Sequence, residues 1–169
     1  TKQPNRAHIA LAELEKDFDV TVVTQNVDNL HERAGSSRVV HLHGELTKGC
    51  SSRDEADEST FVEIGYNPIK MGDKAKDGSQ LRPQIVFFEE AVPQMTPAIR
   101  FAQEADAMIV VGTSMQVYPA AGLYQYAPSG CKIYMIDPDP AAAAHVSGVV
   151  HIKDVATAGM RKFKELISE

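Results

Sequence analysis

Thr24-Gln25-Asn26-Val27-Asp28-Asn29-Leu30-His31-Glu32-Arg33-Ala34-Gly35, followed closely by Val39-Val40-His41-Leu42-His43-Gly44-Glu45-Leu46, decides how this chain is read. Immediately before it, Asp19-Val20-Thr21-Val22-Val23 is β-branched and apolar without alternation, the pattern of a strand buried on both faces. The run then turns polar, which places Gln25, Asn26 and Asp28 just past the carboxyl end of that strand. In open α/β sheets ligands bind outside those ends. A second short apolar strand at 39–42 delivers His43 ahead of a turn that Gly44 permits. Two amides, a carboxylate and an imidazole are therefore expected at one sheet edge.

The chain has 169 residues, enough for one domain with a real core. A net charge of −6 argues against nucleic acid as the main partner, because phosphate contacts need clustered Lys and Arg, and it leaves open a basic ligand such as a lysine-bearing peptide. No apolar run approaches membrane-spanning length and no signal peptide opens the sequence. Two isolated cysteines, Cys50 and Cys131, offer no disulfide framework and suit a reducing, cytoplasmic setting.

Outward from the opening stretch, Ala7, Ile9, Ala10, Leu11 and Leu14 recur at helical spacing behind a possible cap at Asn5, with the helix expected to end near Lys16. His8 reads as a packing residue. Residues 47–80 are polar, with an acidic run (Asp54, Glu55, Asp57, Glu58, Glu63) read as a solvated face. Phe61, Ile64, Tyr66, Ile69 and Met71 are expected to close this part by packing. A strand pattern returns over 81–88. A helix is expected at 96–105, then a buried strand at 108–111 running into Gly112-Thr113-Ser114, a small-residue turn suited to a phosphate or ribose. A strand at 132–136 ends at Asp137, whose carboxylate suits a ribose diol. A last strand at 149–152 precedes an amphipathic helix at 155–167, and His145 and His151 read as surface or packing residues. Strands at 20–24, 39–42, 85–88, 108–111, 132–136 and 149–152 predict an α/β fold with a doubly wound, parallel, Rossmann-like sheet. Residues 1–46 and 80–169 are expected to form the domain built on this sheet and 47–79 a small inserted module.

TQNVDNLHERAG with HLHGEL resembles the signature of the sirtuins, NAD-dependent protein-lysine deacylases, and GTSMQVYPAAG and PNRAHIALAELE resemble two further segments of that family. The resemblance implies NAD as a co-substrate and an acylated-lysine protein or peptide as partner, in a deacetylase or desuccinylase reaction. The acyl oxygen attacks the ribose carbon bearing nicotinamide; His43 then deprotonates a ribose hydroxyl. Nicotinamide, free lysine and O-acyl-ADP-ribose result. It implies Gln25 on the nicotinamide ribose, Asn26, Asp28 and the Val27 backbone around nicotinamide, and Gly112, Thr113, Ser114 and Asp137 on the phosphate and adenosine side. LRPQIVFFEE resembles the family's RPxIVxFGE, where the substrate peptide adds as a strand. That implies the Val86 carbonyl against the lysine nitrogen and Phe88 along the acyl tunnel, with Glu89 standing where the family has glycine and crowding the groove. Sirtuins usually hold zinc on two cysteine pairs where this chain has only Cys50, so no zinc is expected. The family's opening strand and GAGxS turn have no counterpart, so the chain is expected to be an amino-terminal truncation with weak or no activity.

Two other classes stay open at this point. A hydride-transferring dehydrogenase would need a nucleotide-binding glycine fingerprint, which is not evident. A non-enzymatic NAD or acyl-peptide binding protein would keep the site without turnover.

Overall fold

The computed structural model describes residues 2–144 and 146–167; the expectation for His145 falls outside them. Two compact units emerge. The first comprises Thr1–Val22, Leu30–Val39 and Met95–Glu169, the second Val23–Asn29 and Val40–Gln94.

The first unit opens with α1 (Arg6–Leu14). The Asn5 side chain accepts from the backbone N–H of Ala7 at 2.8 Å and of His8 at 3.2 Å, and the His8 ring accepts in return from the Asn5 N–H at 3.2 Å. His8 thus completes a capping box, satisfying donors a helix start leaves orphaned. A five-residue helix, α2 (Leu30–Ala34), follows β1 (Val22–Thr24). Later in the chain come α3 (Met95–Gln103), β6 (Ala107–Val111), β7 (Lys132–Ile136), β8 (Val150–Ile152) and α4 (Ala156–Ile167). Strands β6, β7 and β8 form a parallel sheet in that order, with Val111 opposite Ile136 and Ile136 opposite Ile152. Alternation along β7 sends Tyr134 and Ile136 to one face and Met135 to the other. Ile136 packs with Ile152, Met160 and Phe163 of α4 and with Ala7 and Leu14 of α1, while Met135 packs with Ala142 and Val146. Helix α4 can come this close because Gly159 has no Cβ; one would collide with Ile136 Cγ2.

Strand β1 pairs with β2 (Val39–His41). The Val22 N–H donates to Arg38 O at 3.0 Å and the Leu42 N–H to Thr24 O at 2.9 Å, bonds that advance in the same direction along both strands, as in a parallel pair.

The second unit corrects the expectation for 44–88. It is built on an antiparallel sheet of order β4-β3-β5, with β3 (Gly44–Ser51), β4 (Val62–Glu63) and β5 (Leu81–Ile85). Residues 81–85 therefore pair with β3 (Gly44 opposite Ile85, Ser51 opposite Leu81) and belong to no parallel sheet, and 86–88 lie beyond the strand. Closure by Tyr66 and Met71 is also overturned, since they are 65% and 92% exposed. Phe61, Ile64 and Ile69 are half-buried, and polar groups add to them. Ser51 is fully buried; its hydroxyl lies 2.7 Å from Asp77 Oδ2 and accepts from the Arg53 N–H at 3.0 Å. The Ser79 hydroxyl and N–H donate to Asp77 Oδ1 at 2.7 and 2.9 Å, and the Ser51 N–H donates to buried Thr60 at 3.2 Å. These donors, the Ser79 hydroxyl first, hold the Asp77 carboxyl down at about 2.

Candidate active site

The loop after β1 is held by its own backbone. Asn26 N–H donates to the hydroxyl of buried Thr24 at 3.0 Å. Three successive carbonyls are then engaged: Gln25 O lies 3.0 Å from His43 Nδ1, Asn26 O lies 3.1 Å from His41 Nδ1, and Val27 O accepts from the Leu46 N–H at 2.8 Å. With its carbonyls pinned, the loop backbone is held in place, and with it the positions from which Gln25, Asn26 and Asp28 extend. The two imidazoles sit two residues apart, with Leu42 between them almost wholly buried.

A carbonyl oxygen only accepts, so Nδ1 of His43 must carry the proton in this contact, and the basic lone pair is on Nε2. That is the tautomer a general base needs. His43 is half-buried, and the next residue is the start of β3. Gly44 has φ +82°, and a Cβ there would collide with the Gln84 carbonyl, so the close approach of β3 to β5 behind the histidine requires glycine.

The segment expected to bind peptide follows β5. The Val86 N–H donates to His43 O at 3.0 Å, tying it directly to the histidine turn. Arg82 grips Glu90 through two contacts of 2.9 and 3.1 Å and donates to Ile85 O at 3.2 Å, while its guanidinium lies 5.0 Å from the centre of the Phe87 ring. Glu90 also accepts from the Phe87 N–H at 2.9 Å. The Arg82 bond pushes the Glu90 carboxyl below its ordinary value, and Glu90 pushes Arg82 above its own. The clamp fixes a turn on which Phe88 is 98% exposed. Glu89 takes φ +73°, the left-handed conformation a glycine adopts freely, so the backbone keeps the glycine geometry with a glutamate on it. A cavity of about 30 Å³ lies beside Val86, bounded by His41, Cys50, Phe61 and Ile85 among others; it has room for water and none for an acyl-lysine.

Gln25, Asn26, Val27, Asp28, His43, Val86 and Phe88 thus share the second unit, and Gly112, Thr113, Ser114 and Asp137 the first. Because Val111 pairs with Ile136, Gly112 and Asp137 stand side by side at the carboxyl ends of β6 and β7. The Gly112 N–H donates to Ile136 O at 3.0 Å, its φ is +60°, and a Cβ there would meet nothing within 4 Å. Thr113 Oγ1 accepts from the Met115 N–H at 3.2 Å, and Ser114 is exposed. Asp137 Oδ1 accepts from the Asp139 N–H at 2.8 Å. An open turn beside a partly exposed carboxylate fits a nucleotide's ribose diol and phosphate. His151 has a part here that its sequence position does not announce: its Nε2–H donates to the Asp137 carbonyl at 2.9 Å, pinning the turn that carries the carboxylate. Cys50 is buried and belongs to no group of three metal-ligand side chains among the described residues.

The family model described as "Sir2 family" matches residues 1–119. The chain belongs to the Sir2 family. It is 54% identical over 168 residues to an NAD-dependent protein deacylase of Bacteroides thetaiotaomicron, covering 98% of this chain and 71% of that protein. An NAD-dependent protein deacylase of Helicobacter pylori is 51% identical over 158 residues, 94% of this chain and 67% of that one. A crystal structure of a Sir2 homologue–NAD complex superposes with a TM-score of 0.83 at 36% identity, over 98% of this chain and 65% of that one. A Sir2–p53 peptide–NAD+ structure gives a TM-score of 0.77 at 30% identity, over 98% and 71%. This sirtuin chain thus spans roughly two thirds to seven tenths of the relatives it matches. Its mixed α/β fold, with parallel sheets and a small antiparallel one, matches theirs. No described helix is long and apolar enough to cross a membrane.

Proposed function

We propose that this sirtuin chain carries an NAD-dependent protein-lysine deacylase activity of the deacetylase or desuccinylase type, giving nicotinamide, free lysine and O-acyl-ADP-ribose. The observation that carries the reading is His43, whose Nδ1 proton is committed to Gln25 O so that Nε2 is the base. NAD, as co-substrate, supplies a ribose carbon with nicotinamide as its leaving group. His43 takes a ribose hydroxyl proton on Nε2, Gln25 holds the nicotinamide ribose, and Asn26, Val27 and Asp28 frame nicotinamide. Thr113 and Ser114 receive phosphate through backbone and hydroxyl donors where Gly112 leaves the turn open, and Asp137 accepts from the adenosine ribose. An acylated-lysine protein or peptide adds its backbone along Val86, with Phe88 against the acyl chain. Residues 1–46 and 80–169 serve the cofactor and 47–79 form the inserted module, without zinc, in a cytoplasmic setting.

The finer fold proposed is a doubly wound, Rossmann-like sheet with one more parallel strand beside β6. It is supported by that strand's open edge, since β6 pairs only with β7 among the described residues, and by its apolar sequence. The deciding assay is nicotinamide release with NAD, with and without an acyl-lysine peptide. Release only when the acyl-peptide is present supports a deacylase; binding with no consumption of NAD would identify a sensor, and NADH absorbance a dehydrogenase.

A further inference from the structure

The ladder between β7 and β8 ends on a side-chain donor. Met135 lies opposite His151 and Ile136 opposite Ile152, and the Asp137 N–H donates to Ile152 O at 3.3 Å. In a regular parallel pair the next bond would run from the Asp154 N–H to the Asp137 carbonyl. Instead the Asp154 N–H turns back to Ile152 O at 2.9 Å, and the chain leaves the sheet for α4. The Asp137 carbonyl, deprived of its ladder donor, is taken by the half-buried His151 ring, whose Nε2–H donates to it at 2.9 Å.

The peptide unit held this way has no other polar handle. Residue 138 is proline, so the Asp137–Pro138 peptide carries no N–H and can be anchored only through its carbonyl oxygen. The same residue bears the carboxylate proposed for the adenosine ribose. Its Oδ1 accepts from the Asp139 N–H at 2.8 Å, and Asp139 Oδ1 accepts in turn from the Ala141 N–H at 2.9 Å. With Oδ1 engaged, Oδ2 is the oxygen left for a ribose hydroxyl, and its direction depends on how the Asp137 backbone is held.

We propose that His151 is a positioning residue for the nucleotide, anchoring the Asp137–Pro138 peptide so that the Asp137 carboxylate meets the hydroxyls of the adenosine ribose. The inference rests on the reading of Asp137 as the ribose acceptor. It commits the His151 ring to a form with a proton on Nε2, since a carbonyl only accepts. The ring acts through Asp137 and makes no contact with NAD itself.

The experiment titrates NAD, and NAD analogues lacking the 2′- or the 3′-hydroxyl of the adenosine ribose, by calorimetry. The proteins are the wild-type chain, His151→Phe and His151→Asn, which put no donor at the Nε2 position, and His151→Gln, whose amide nitrogen reaches it. Wild type should lose about tenfold in affinity with at least one analogue, as expected for a hydrogen bond to a partly exposed carboxylate. In His151→Phe and His151→Asn that penalty should shrink to about twofold and NAD itself should bind about three- to tenfold more weakly, while His151→Gln restores both. On an Asp137→Ala background, His151→Phe should cost no further NAD affinity, because the two changes remove one interaction. Where His151→Phe does not fold, His151→Asn against His151→Gln decides the question. A penalty undiminished in His151→Phe and His151→Asn, or not restored by His151→Gln, would overturn the inference and leave the ribose reading standing. Equal affinity of wild type for NAD and both analogues, or no binding of NAD, would overturn both.

Discussion

Ser51→Ala probes the buried hydrogen-bonded group of the second unit. The hydroxyl is fully buried, accepts from the Arg53 N–H and lies within bonding distance of Asp77 Oδ2 and of Ser79 Oγ. Ser51 and Ser79 each have one hydroxyl proton, and the carboxylate offers two oxygens. The consistent arrangement gives one proton to each oxygen of Asp77, so Ser51 contributes one charge-assisted bond and one backbone bond. Net values near 1.5–3 and 1 kcal/mol, discounted because Asp77 is partly exposed and recovers water, give about 2 kcal/mol for truncating Ser51. For a chain of this length that is a fall in Tm of about 4–8 °C. Thermal melts by circular dichroism read it directly. The double variant Ser51→Ala/Asp77→Asn should fall by less than the sum of the two single changes, because both remove the same bond. A pH series adds a second readout. Asp77 is depressed from 3.8 to about 2, so its stabilisation is complete above the unfolded value and is lost as pH falls from about 4 through about 2. A Tm change under about 1 °C at neutral pH, or strictly additive single changes, would refute the idea that this hydrogen-bonded group stabilises the second unit.

His43→Ala should lower acyl-peptide-dependent nicotinamide release at least about a hundredfold while NAD affinity, measured by calorimetry, changes far less; near-normal turnover would remove the residue from the mechanism. Glu89→Gly should raise Tm by roughly 2 °C, because glycine adopts φ +73° without the left-handed penalty and loses part of that gain to its freer unfolded state. A lower Tm would mean the glutamate side chain contributes packing or hydrogen bonding. Elemental analysis of the purified chain should find no stoichiometric zinc, and a chelator should leave the melting curve in place; one zinc per chain, lost on Cys50→Ser, would show Cys50 to be a ligand.

The parallel strands β6, β7 and β8 and helix α4 were legible because their apolar runs are short, β-branched and bounded by turn residues, and because a 3.6-residue period marks the helix. Strand β3 was not legible. Its register shifts between Glu45 and Gly49, which breaks the two-residue alternation, and its buried end is Gly49-Cys50-Ser51, where a fully buried serine reads as a loop residue. Residues 81–85 were recognised as a strand but given the wrong partners, since local sequence encodes strandedness and not pairing. Pro83 was the available signal: a residue without an N–H belongs on an edge, and β5 is one. Tyr66 and Met71 show the limit of reading composition as burial, since much of any folded surface is apolar. Of the candidate site, the residue types and their grouping past β1 were readable, whereas the bonds of His41 and His151 to carbonyls 15 and 14 residues away were not.

The two histidines of the opening stretch explain why a proposed general base and a proposed nicotinamide-binding loop come from segments so close in sequence. The His-Leu-His triplet starts on the last residue of β2 and runs through the turn that follows, and there both imidazoles meet the loop while Leu42 is buried. Each imidazole donates Nδ1–H to a consecutive loop carbonyl. The loop is thereby fixed by two side-chain donors and, at Val27, by a strand donor, and the same contact that fixes it at Gln25 sets the protonated nitrogen of His43. Holding the loop and selecting the tautomer are one interaction. A substitution that frees Gln25 O therefore disturbs both the ribose contact and the base, even with the imidazole intact, whereas one at His41 disturbs the loop and leaves the base its proton partner.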